Sequence, residues 1–352
     1  MNFYDSGALL LAKLHGWIKI ELRLILIILL EGLLNGYQSI TRALPPAELR
    51  IHTLIENARL SKTNSPKVAI VTGAAGGLGF QTSKALALAG YQVFMLDINR
   101  DLGTKAANII NEVCGNVAAA EYCFVDLGSF DSIRSFSRQF CERKLPLNIL
   151  VNSTYSINAG VMTPPWRQTK EGFDSQFGIN FLGHYLLTRE LLDTILQSGP
   201  ARIINVASSA HYGVPNLEYE RFRDKRLYHR WVNYCWSKFA VVLFTFALDR
   251  RLRSNPNNQV TVNCLHPGAV STYLFENYML LWFITRTFKP FLRSPERGAL
   301  TSIYLSLSPE VEQISGKYWL DERIKPHNPA ADSIKKQEEL WVKAAQYVGL
   351  PA

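Results

Sequence analysis

Between residues 67 and 151, short apolar runs of strand length alternate with stretches of helical periodicity. The first run, residues 67–72, is rich in β-branched side chains and lies between a proline and a glycine, which is typical of a buried strand. The other runs of this kind are 92–96, 121–127 and 147–151, and the helical stretches are 77–89, a segment that begins near 101, and 133–140. Strands and helices that alternate in this order predict an α/β fold with a doubly wound parallel sheet.

A longer apolar stretch lies in the second half of the chain. Residues 241–248 are almost all apolar and precede two arginines. This pattern predicts a buried helix that opens near Tyr234. One face of that helix carries both Tyr234 and Lys238, because residues at i and i+4 lie side by side.

The N-terminal forty residues are apolar but are interrupted by charged side chains. Their longest uninterrupted apolar run, residues 24–30, is far shorter than the ~20 residues of a membrane-spanning helix. We therefore expect residues 1–40 to form a membrane-associating segment in the lipid interface, with a helix packed on the protein's own surface as the alternative. Residues 41–66 are predicted to be a linker, and residues 67–350 a single folded domain.

Composition and charge restrict the class of protein without changing this picture. Hydrophobic residues make up 47% and charged residues 19% of the 352-residue chain, which excludes fibrous and disordered proteins. The five cysteines are scattered and the seven histidines lack metal-ligand spacing, so we expect neither a disulfide framework nor a metal site. The net charge of +9 is compatible with an anionic membrane surface. We do not expect nucleic acid as a partner, because no recognition motif accompanies the charge.

A glycine-rich turn joins the first predicted strand to the first predicted helix. Gly73, Gly77 and Gly79 follow the strand with the spacing Gly-x-x-x-Gly-x-Gly. Glycines let the backbone turn tightly and approach a pyrophosphate, while the helix N-terminus offers N–H groups and the positive end of its dipole. Strand, glycine turn and helix together predict a dinucleotide-binding site.

Asp97 ends the second predicted strand, eighteen residues after Gly79. A carboxylate there accepts hydrogen bonds from the adenosine ribose and repels a 2′-phosphate, so it favours NAD over NADP. Arg100 is close in sequence and keeps NADP open as the alternative cofactor. The competing interpretation of Asp97 is a cap for the helix that begins near Asp101.

Tyr234 and Lys238 are the candidates for proton-transfer chemistry. A phenol titrates near ~10, which is too high for a base at neutral pH. An adjacent ammonium group favours the phenolate and lowers that pKa, so the pair can exchange a proton with an alcohol. For the pair in isolation, the competing interpretation is an ordinary surface contact between two helical side chains.

Taken in order along the chain, several motifs resemble those of the short-chain dehydrogenase/reductase family. They are the glycine turn 72–79, Asp126-Leu127, Asn158-Ala159-Gly160, Asn180, Ser208, Tyr234-x-x-x-Lys238 and Pro267-Gly268. The resemblance runs from about residue 66 to 325. Within the family, the stretches similar to the retinol dehydrogenase-like branch, including a member that acts on polyprenols, are 177–188, 211–212, 241–245 and 301–304.

This resemblance implies a Rossmann fold, a nicotinamide cofactor and an alcohol or carbonyl substrate. It makes Tyr234 the general acid/base, and Lys238 the residue that holds the nicotinamide ribose and lowers the pKa of Tyr234. Ser208, which lies two residues after Val206 and is preferred over Ser209, would hydrogen-bond the substrate oxygen. The other implied residues are Asn180, which fixes a proton-relaying water, Thr272, which binds the carboxamide, and the cofactor contacts Gly73, Gly77, Leu78, Gly79, Asp126, Leu127 and Asn158.

One departure from the family concerns the floor of the cofactor site. The Asn-Asn-Ala-Gly motif is divided in this chain, because residues 153–157 separate Asn152 from Asn158. Three interpretations are open: the five residues bulge outward and leave the floor intact, they displace it, or they come from a mis-joined reading frame. In the second case the chain would be a catalytically weak cofactor-binding or scaffold protein.

The segment that would cover the substrate is unusually apolar. Residues 273–292 are rich in aromatic and aliphatic side chains, with Arg286 and Lys289 among them. Cations beside aromatic residues favour a lipid interface over a buried cap helix, and the basic cluster at 221–230 adds a surface for an anionic membrane. We therefore expect a lipophilic alcohol as substrate: polyprenol first, with retinol or a steroid as the alternative.

The resemblance also implies a cellular location. It places the chain on the endoplasmic reticulum membrane or on lipid droplets, with the catalytic domain facing the cytosol. A homo-oligomer stays open.

Overall fold

The structure is a computed structural model that describes residues 46–60, 66–153, 164–270 and 292–352. Several predictions fall outside these ranges. They concern the segment 1–40, most of the insertion 153–157, Asn158, Thr272 and the apolar segment up to residue 291.

A single mixed sheet forms the centre of the described structure, with the strand order β3-β2-β1-β4-β5-β6-β7-β8. The strands are β1 (Val68–Thr72), β2 (Gln92–Asp97), β3 (Ala120–Phe124), β4 (Ile149–Asn152), β5 (Ala201–Val206), β6 (Val260–Leu265), β7 (Tyr318–Leu320) and β8 (Arg323–Ile324). All neighbours pair in parallel except β7 and β8. Strand β1 lies near the middle of the sheet, the chain winds outward from it to β3, and the strands from β4 onward follow in the other direction. This order confirms the predicted doubly wound α/β fold.

Helices cover both faces of the sheet, as a parallel sheet requires. They are α1 (Ala47–Leu60), α2 (Gly77–Leu88), α3 (Arg100–Cys114), α4 (Phe130–Glu142), α5 (His184–Gln197), α6 (Arg230–Arg253), α7 (Pro295–Leu307) and α8 (Ile334–Val348). Successive strand residues point to opposite faces. Val68 and Ile70 therefore belong to the core under α4, α5, α6 and α8, whereas Ala69 and Val71 belong to the core under α1, α2, α3 and α7.

Helix α1 corrects part of the predicted linker. Within the segment 41–66, residues 47–60 form a helix that packs on α7 and α2 and buries Leu54 and Ile55. Long-range bonds fix both ends, because Arg50 pairs with Glu322 at 2.8 Å and the Arg59 side chain donates to the carbonyl of Leu88. The prolines and serines that flank the helix suggested a linker, whereas tertiary packing decides its structure.

Helix α6 contains the predicted Tyr-Lys pair. It begins at Arg230, four residues before the predicted opening, and is buried along most of its length. In the part of the chain that the structure describes, it is the one helix long and apolar enough to cross a membrane, but 94% of its apolar window is buried in the protein. It is therefore a core helix.

Candidate active site

Four of the predicted site residues lie at or just beyond the carboxyl ends of neighbouring parallel strands. Gly73 follows β1, Asp97 ends β2, Asp126 lies two residues after β3, and Ser208 lies two residues after β5. Because these strands are parallel and adjacent, their carboxyl ends meet at one edge of the sheet. Ligands of open α/β sheets bind in the crevice at this edge.

The glycine turn between β1 and α2 has the shape of a phosphate cradle. Gly73 and Gly77 have φ angles of 61° and 51°, in the left-handed region that glycine tolerates. A Cβ atom on Gly79 would lie 2.2 Å from the Gly73 carbonyl oxygen, so only glycine fits this close approach. No side chain caps α2 at Gly76, and Leu78 is buried in its first turn. This backbone fits a dinucleotide pyrophosphate, since first-turn N–H groups are available to an anion.

Asp97 is held in place beside the glycine turn. Its carboxylate accepts hydrogen bonds from the backbone N–H groups of Ala75 at 3.1 Å and Asn99 at 2.9 Å. Asn99 caps α3, so the interpretation of Asp97 as the helix cap is wrong. Burial raises the pKa of Asp97, against the lowering effect of these N–H donors. Each carboxylate oxygen accepts more than one bond, so the group retains capacity for ribose hydroxyls.

Asp126 and Leu127 form the turn after β3. Asp126 accepts a 2.8 Å hydrogen bond from the N–H of Gly128 through its carboxylate. The main chain of Leu127 lies so close to Gly183 that a Cβ there would be 2.4 Å from the Leu127 carbonyl oxygen. The turn is thus packed against the start of α5, next to the segment that carries Asn180.

Tyr234 and Lys238 share one face of α6, as predicted, and both are buried. The Lys238 Nζ atom lies 5.9 Å from the centre of the Tyr234 ring and donates a 3.0 Å hydrogen bond to the carbonyl of Val206. That carbonyl ends β5, two residues before Ser208. Burial lowers the pKa of Lys238 to about 7. The lysine is therefore poised to change protonation state at neutral pH.

Asn180 lies in a π-helix, Gly178–Gly183, that leads into α5. Its side-chain amide donates to the Ser237 hydroxyl at 3.1 Å, and that hydroxyl donates to the Tyr234 carbonyl at 2.8 Å. Asn180 is thereby tied to α6 between Tyr234 and Lys238. Single π-turns inside α-helices occur frequently at functional sites.

Ser208 caps a 3-10 turn over Ser209–Gly213. Its Oγ accepts a 3.2 Å hydrogen bond from the N–H of Ala210, which leaves the hydroxyl proton able to point at a substrate oxygen. This geometry fits the role predicted for Ser208, which the register of β5 favours over Ser209.

The end of β4 is firmly held up to the residue where the insertion begins. Ser153 donates its N–H to the Thr72 hydroxyl at 2.8 Å and accepts from it at 2.7 Å through its carbonyl. Asn152 donates to Thr188 at 2.9 Å and to Asn205 at 2.8 Å. These bonds fix the first residue of the insertion to the strand that carries the glycine turn.

Two buried histidines at this edge, His184 and His211, lie in stretches that resemble the family branch but were assigned no role from the sequence. His184 lies 2.9 Å from the Thr72 hydroxyl through Nε2 and 3.1 Å from the Asn180 carbonyl through Nδ1. His211 contacts the Ser208 carbonyl in the same way, through Nδ1. Burial lowers the pKa of both to about 4, so both are neutral at physiological pH. The four-residue spacing from Asn180 places His184 on the same helical face and is the signal that could have assigned it.

Comparison with known proteins identifies the family of the chain. The family model described as short chain dehydrogenase matches residues 67–279. The chain belongs to the short-chain dehydrogenase family. Human polyprenol dehydrogenase is 36% identical over 293 residues, with 81% of this chain and 86% of the relative covered. Human retinol dehydrogenase 12 is 36% identical, covering 81% and 87%, and mouse retinol dehydrogenase 13 is 39% identical, covering 82% and 86%.

Solved structures share the fold. An uncharacterized protein of Mycobacterium paratuberculosis has a TM-score of 0.63 and 25% identity, over 82% of this chain and 98% of the other. The 3-ketoacyl-(acyl-carrier-protein) reductase of Brucella melitensis, crystallised with NADH, has a TM-score of 0.55 and 23% identity, over 73% and 96%. Family membership makes this chain an NAD(P)-dependent oxidoreductase with a Rossmann fold.

Proposed function

We propose that the chain interconverts a lipophilic alcohol and its aldehyde, with polyprenol oxidised to polyprenal as the first candidate reaction. The observation that carries the proposal is the buried Tyr234–Lys238 pair, which is joined to the end of β5 and to Asn180. The similarity to polyprenol dehydrogenase supports the choice of substrate.

In this proposal the polar side chains act on the hydroxyl group of the alcohol. Tyr234 removes that proton during oxidation, and the ammonium group of Lys238 favours the phenolate that does so. Ser208 donates a hydrogen bond to the substrate oxygen and stabilises the negative charge that develops there. Asn180 orders the path by which the proton leaves towards solvent. The nicotinamide cofactor supplies the other half of the chemistry, because it accepts or gives the hydride.

We further propose NAD as the preferred cofactor. Asp97 stands at the end of β2 with its carboxylate turned towards the glycine turn, as the 3.1 Å bond from Ala75 shows. A 2′-phosphate beside this carboxylate would be repelled. The contacts proposed for Asn158 and Thr272 remain predictions from the resemblance.

The membrane proposal rests on the sequence. The apolar segment 1–40 and the apolar stretch 273–291 would bring the site to a lipid surface, on the endoplasmic reticulum or lipid droplets, where polyprenols partition. Deleting residues 1–40 tests the first part. Protein that still sediments fully with membranes after the deletion would show that this segment is not the main anchor.

A direct assay tests the substrate. NADH formation by the purified protein is compared for polyprenol, retinol and a steroid alcohol, each presented in the same detergent. We expect the highest kcat/KM for polyprenol and NAD. The retinol dehydrogenases at 36% and 39% identity make retinol the second candidate, and a higher kcat/KM for retinol would establish it instead.

The scaffold alternative has its own test. Titration with NADH and NADPH, followed by nicotinamide fluorescence, measures binding without turnover. Because Ser153 is anchored to Thr72, we expect the cofactor floor to survive the insertion. Failure to bind either cofactor would leave the scaffold interpretation.

A further inference from the structure

We propose that His211 and Asn328 form a clasp that positions Ser208, so that a segment near the C-terminus of the chain orients the hydroxyl that meets the substrate oxygen. The inference rests on the proposed role of Ser208. It assigns a positioning function to two residues that lie outside the Tyr-Lys motif and are 117 residues apart in the chain.

The hydrogen bonds of His211 fix its tautomer. Its Nδ1 lies 2.6 Å from the Ser208 carbonyl oxygen, and its Nε2 lies 3.1 Å from the backbone nitrogen of Asn328. A carbonyl oxygen only accepts and a backbone N–H only donates, so Nδ1 carries the proton and Nε2 is the acceptor. Both bonds exist together only in this neutral form of the ring.

Asn328 closes the clasp from the other side. Its side-chain amide donates to the carbonyls of His211 at 2.9 Å and Val214 at 2.7 Å, and its Oδ1 accepts from the N–H of Ala330 at 3.0 Å. Together with the backbone bond to Nε2, three hydrogen bonds join Asn328 to the turn 208–214. Asn328 is itself fixed, because it caps the 3-10 turn Pro329–Asp332 that precedes α8.

The clasp acts on the orientation of Ser208 through its peptide group. The Ser208 carbonyl accepts two hydrogen bonds, one from the backbone N–H of His211 at 3.1 Å and one from Nδ1. Together these two bonds fix the direction of the carbonyl. The rings of Tyr212 and Tyr318 pack against the imidazole, with centroids 4.1 Å and 4.6 Å away, and prevent it from turning. A misplacement of ~1 Å at a reacting group costs ~100-fold in rate, so this level of control matters.

The competing interpretation is that His211 only fills the core and contributes to stability. Two substitutions separate these interpretations. His211→Asn keeps an amide donor near the position of Nδ1 and loses the acceptor for Asn328, whereas His211→Leu keeps apolar bulk and loses both. A residue that only packs would be served better by leucine.

The test uses the full chain and measures both variants, with His52→Asn, an exposed position on α1, as the control. Hydrogen exchange reports the amides of Ala210 and Asn328, and kinetics report kcat and the Kd for NADH. For His211→Leu we expect both amides to exchange about tenfold faster. The Asn328 N–H loses its acceptor Nε2, and the Ala210 N–H lies in a turn that loses the bond from Nδ1 to the Ser208 carbonyl. We expect kcat to fall ~100-fold while the Kd for NADH is unchanged. His211→Asn should recover kcat to within about tenfold of wild type, since it restores the donor to Ser208.

Several results would overturn the clasp. A kcat loss for His211→Asn that equals or exceeds the loss for His211→Leu would show that His211 only packs. A loss of NADH affinity in proportion to kcat would show the same. Unchanged exchange at Ala210 in His211→Leu would contradict the clasp whether or not the protein turns over an alcohol.

Wild-type protein that binds NADH but oxidises no alcohol would refute the proposed function alone, since the exchange measurement still decides the clasp. Asn328→Asp, which removes the two side-chain donors at constant size, should change exchange in the same direction as His211→Leu.

Discussion

Lys238 gives the sharpest prediction, because its burial acts against stability while its charge serves the proposed chemistry. We expect Lys238→Met to make the cofactor-free protein more stable at neutral pH and less stable at alkaline pH. The unfolded lysine holds its proton up to the ordinary pKa of 10.5, whereas the folded lysine holds it only up to about 7. Between these values the unfolded state binds the extra proton, so the stability of the wild-type protein rises with pH over this interval.

The size of the effect follows from the pKa difference. From 10.5 to about 7, at ~1.4 kcal/mol for each pKa unit, the buried charge costs about 5 kcal/mol at or below pH 7. Methionine removes this cost but leaves the Val206 carbonyl without its 3.0 Å donor, which costs ~1–3 kcal/mol. The net gain for Lys238→Met is therefore about 2–4 kcal/mol at pH 7. Towards pH 10.5 only the lost hydrogen bond remains, so the sign changes near pH ~9.

Urea denaturation at pH 6.5, 8 and 10, without cofactor, measures this crossover. The same pair of proteins in a Tyr234→Phe background separates the lysine from the neighbouring phenol. Lys105→Met, at an exposed position on α3, is the matched control and should show no dependence on pH. A Lys238→Met protein that is less stable than wild type at pH 6.5, or a difference that stays constant with pH, would refute the claim that this charge is buried at a cost.

Three further predictions concern the glycine turn, the ion pair between Arg293 and Asp321, and helix α1. Gly79→Ala should weaken NADH binding and destabilise the fold by ~1–3 kcal/mol, because its Cβ would lie 2.2 Å from the Gly73 carbonyl oxygen; NADH titration that matches wild type would contradict the cradle. Arg293→Lys should lower the free energy of unfolding by ~1–3 kcal/mol, because lysine cannot reproduce the two hydrogen bonds of Arg293 to Asp321 at 2.6 Å and 3.0 Å. An unchanged urea midpoint would show that this pair does not contribute to stability. A chain that starts at residue 67 should be at least ~3 kcal/mol less stable than one that starts at 46, because burial of Leu54 and Ile55 contributes ~1.5–3 kcal/mol each. Equal stability of the two chains would show that α1 does not stabilise the fold.

The sequence was sufficient for the parts of the molecule that local patterns determine. The strand, glycine turn and helix from residue 68 to 88 have the predicted order, because their signal is contained in about twenty residues. Tyr234 and Lys238 lie on one helix face because helical periodicity requires it. Parallel strands joined by helices then place the ends of β1 to β5 at one edge of the sheet.

Features that depend on distant partners were beyond the sequence. Helix α1 was not predicted within the linker, because its stability comes from tertiary contacts. One of these joins Arg50 to Glu322, 272 residues away. The π-helix around Asn180 has no signature in residue type. The clasp of His211 needs Asn328, which lies 117 residues further along the chain. The strands β7 and β8, of three and two residues, are too short to show a period.

Tyr234 is the residue on which the proposed chemistry depends. Transfer of deuterium from C1-deuterated polyprenol to the nicotinamide ring, measured by mass spectrometry of the recovered NADH, tests it most directly. Tyr91→Phe, at the opposite end of β2 from the site, is the matched control for loss of a phenol hydroxyl. We predict that wild type and Tyr91→Phe transfer the label at the same rate, and that Tyr234→Phe transfers it at least ~100-fold more slowly while binding NADH equally well. Label transfer by Tyr234→Phe at the wild-type rate would contradict the assignment of Tyr234 as the acid/base.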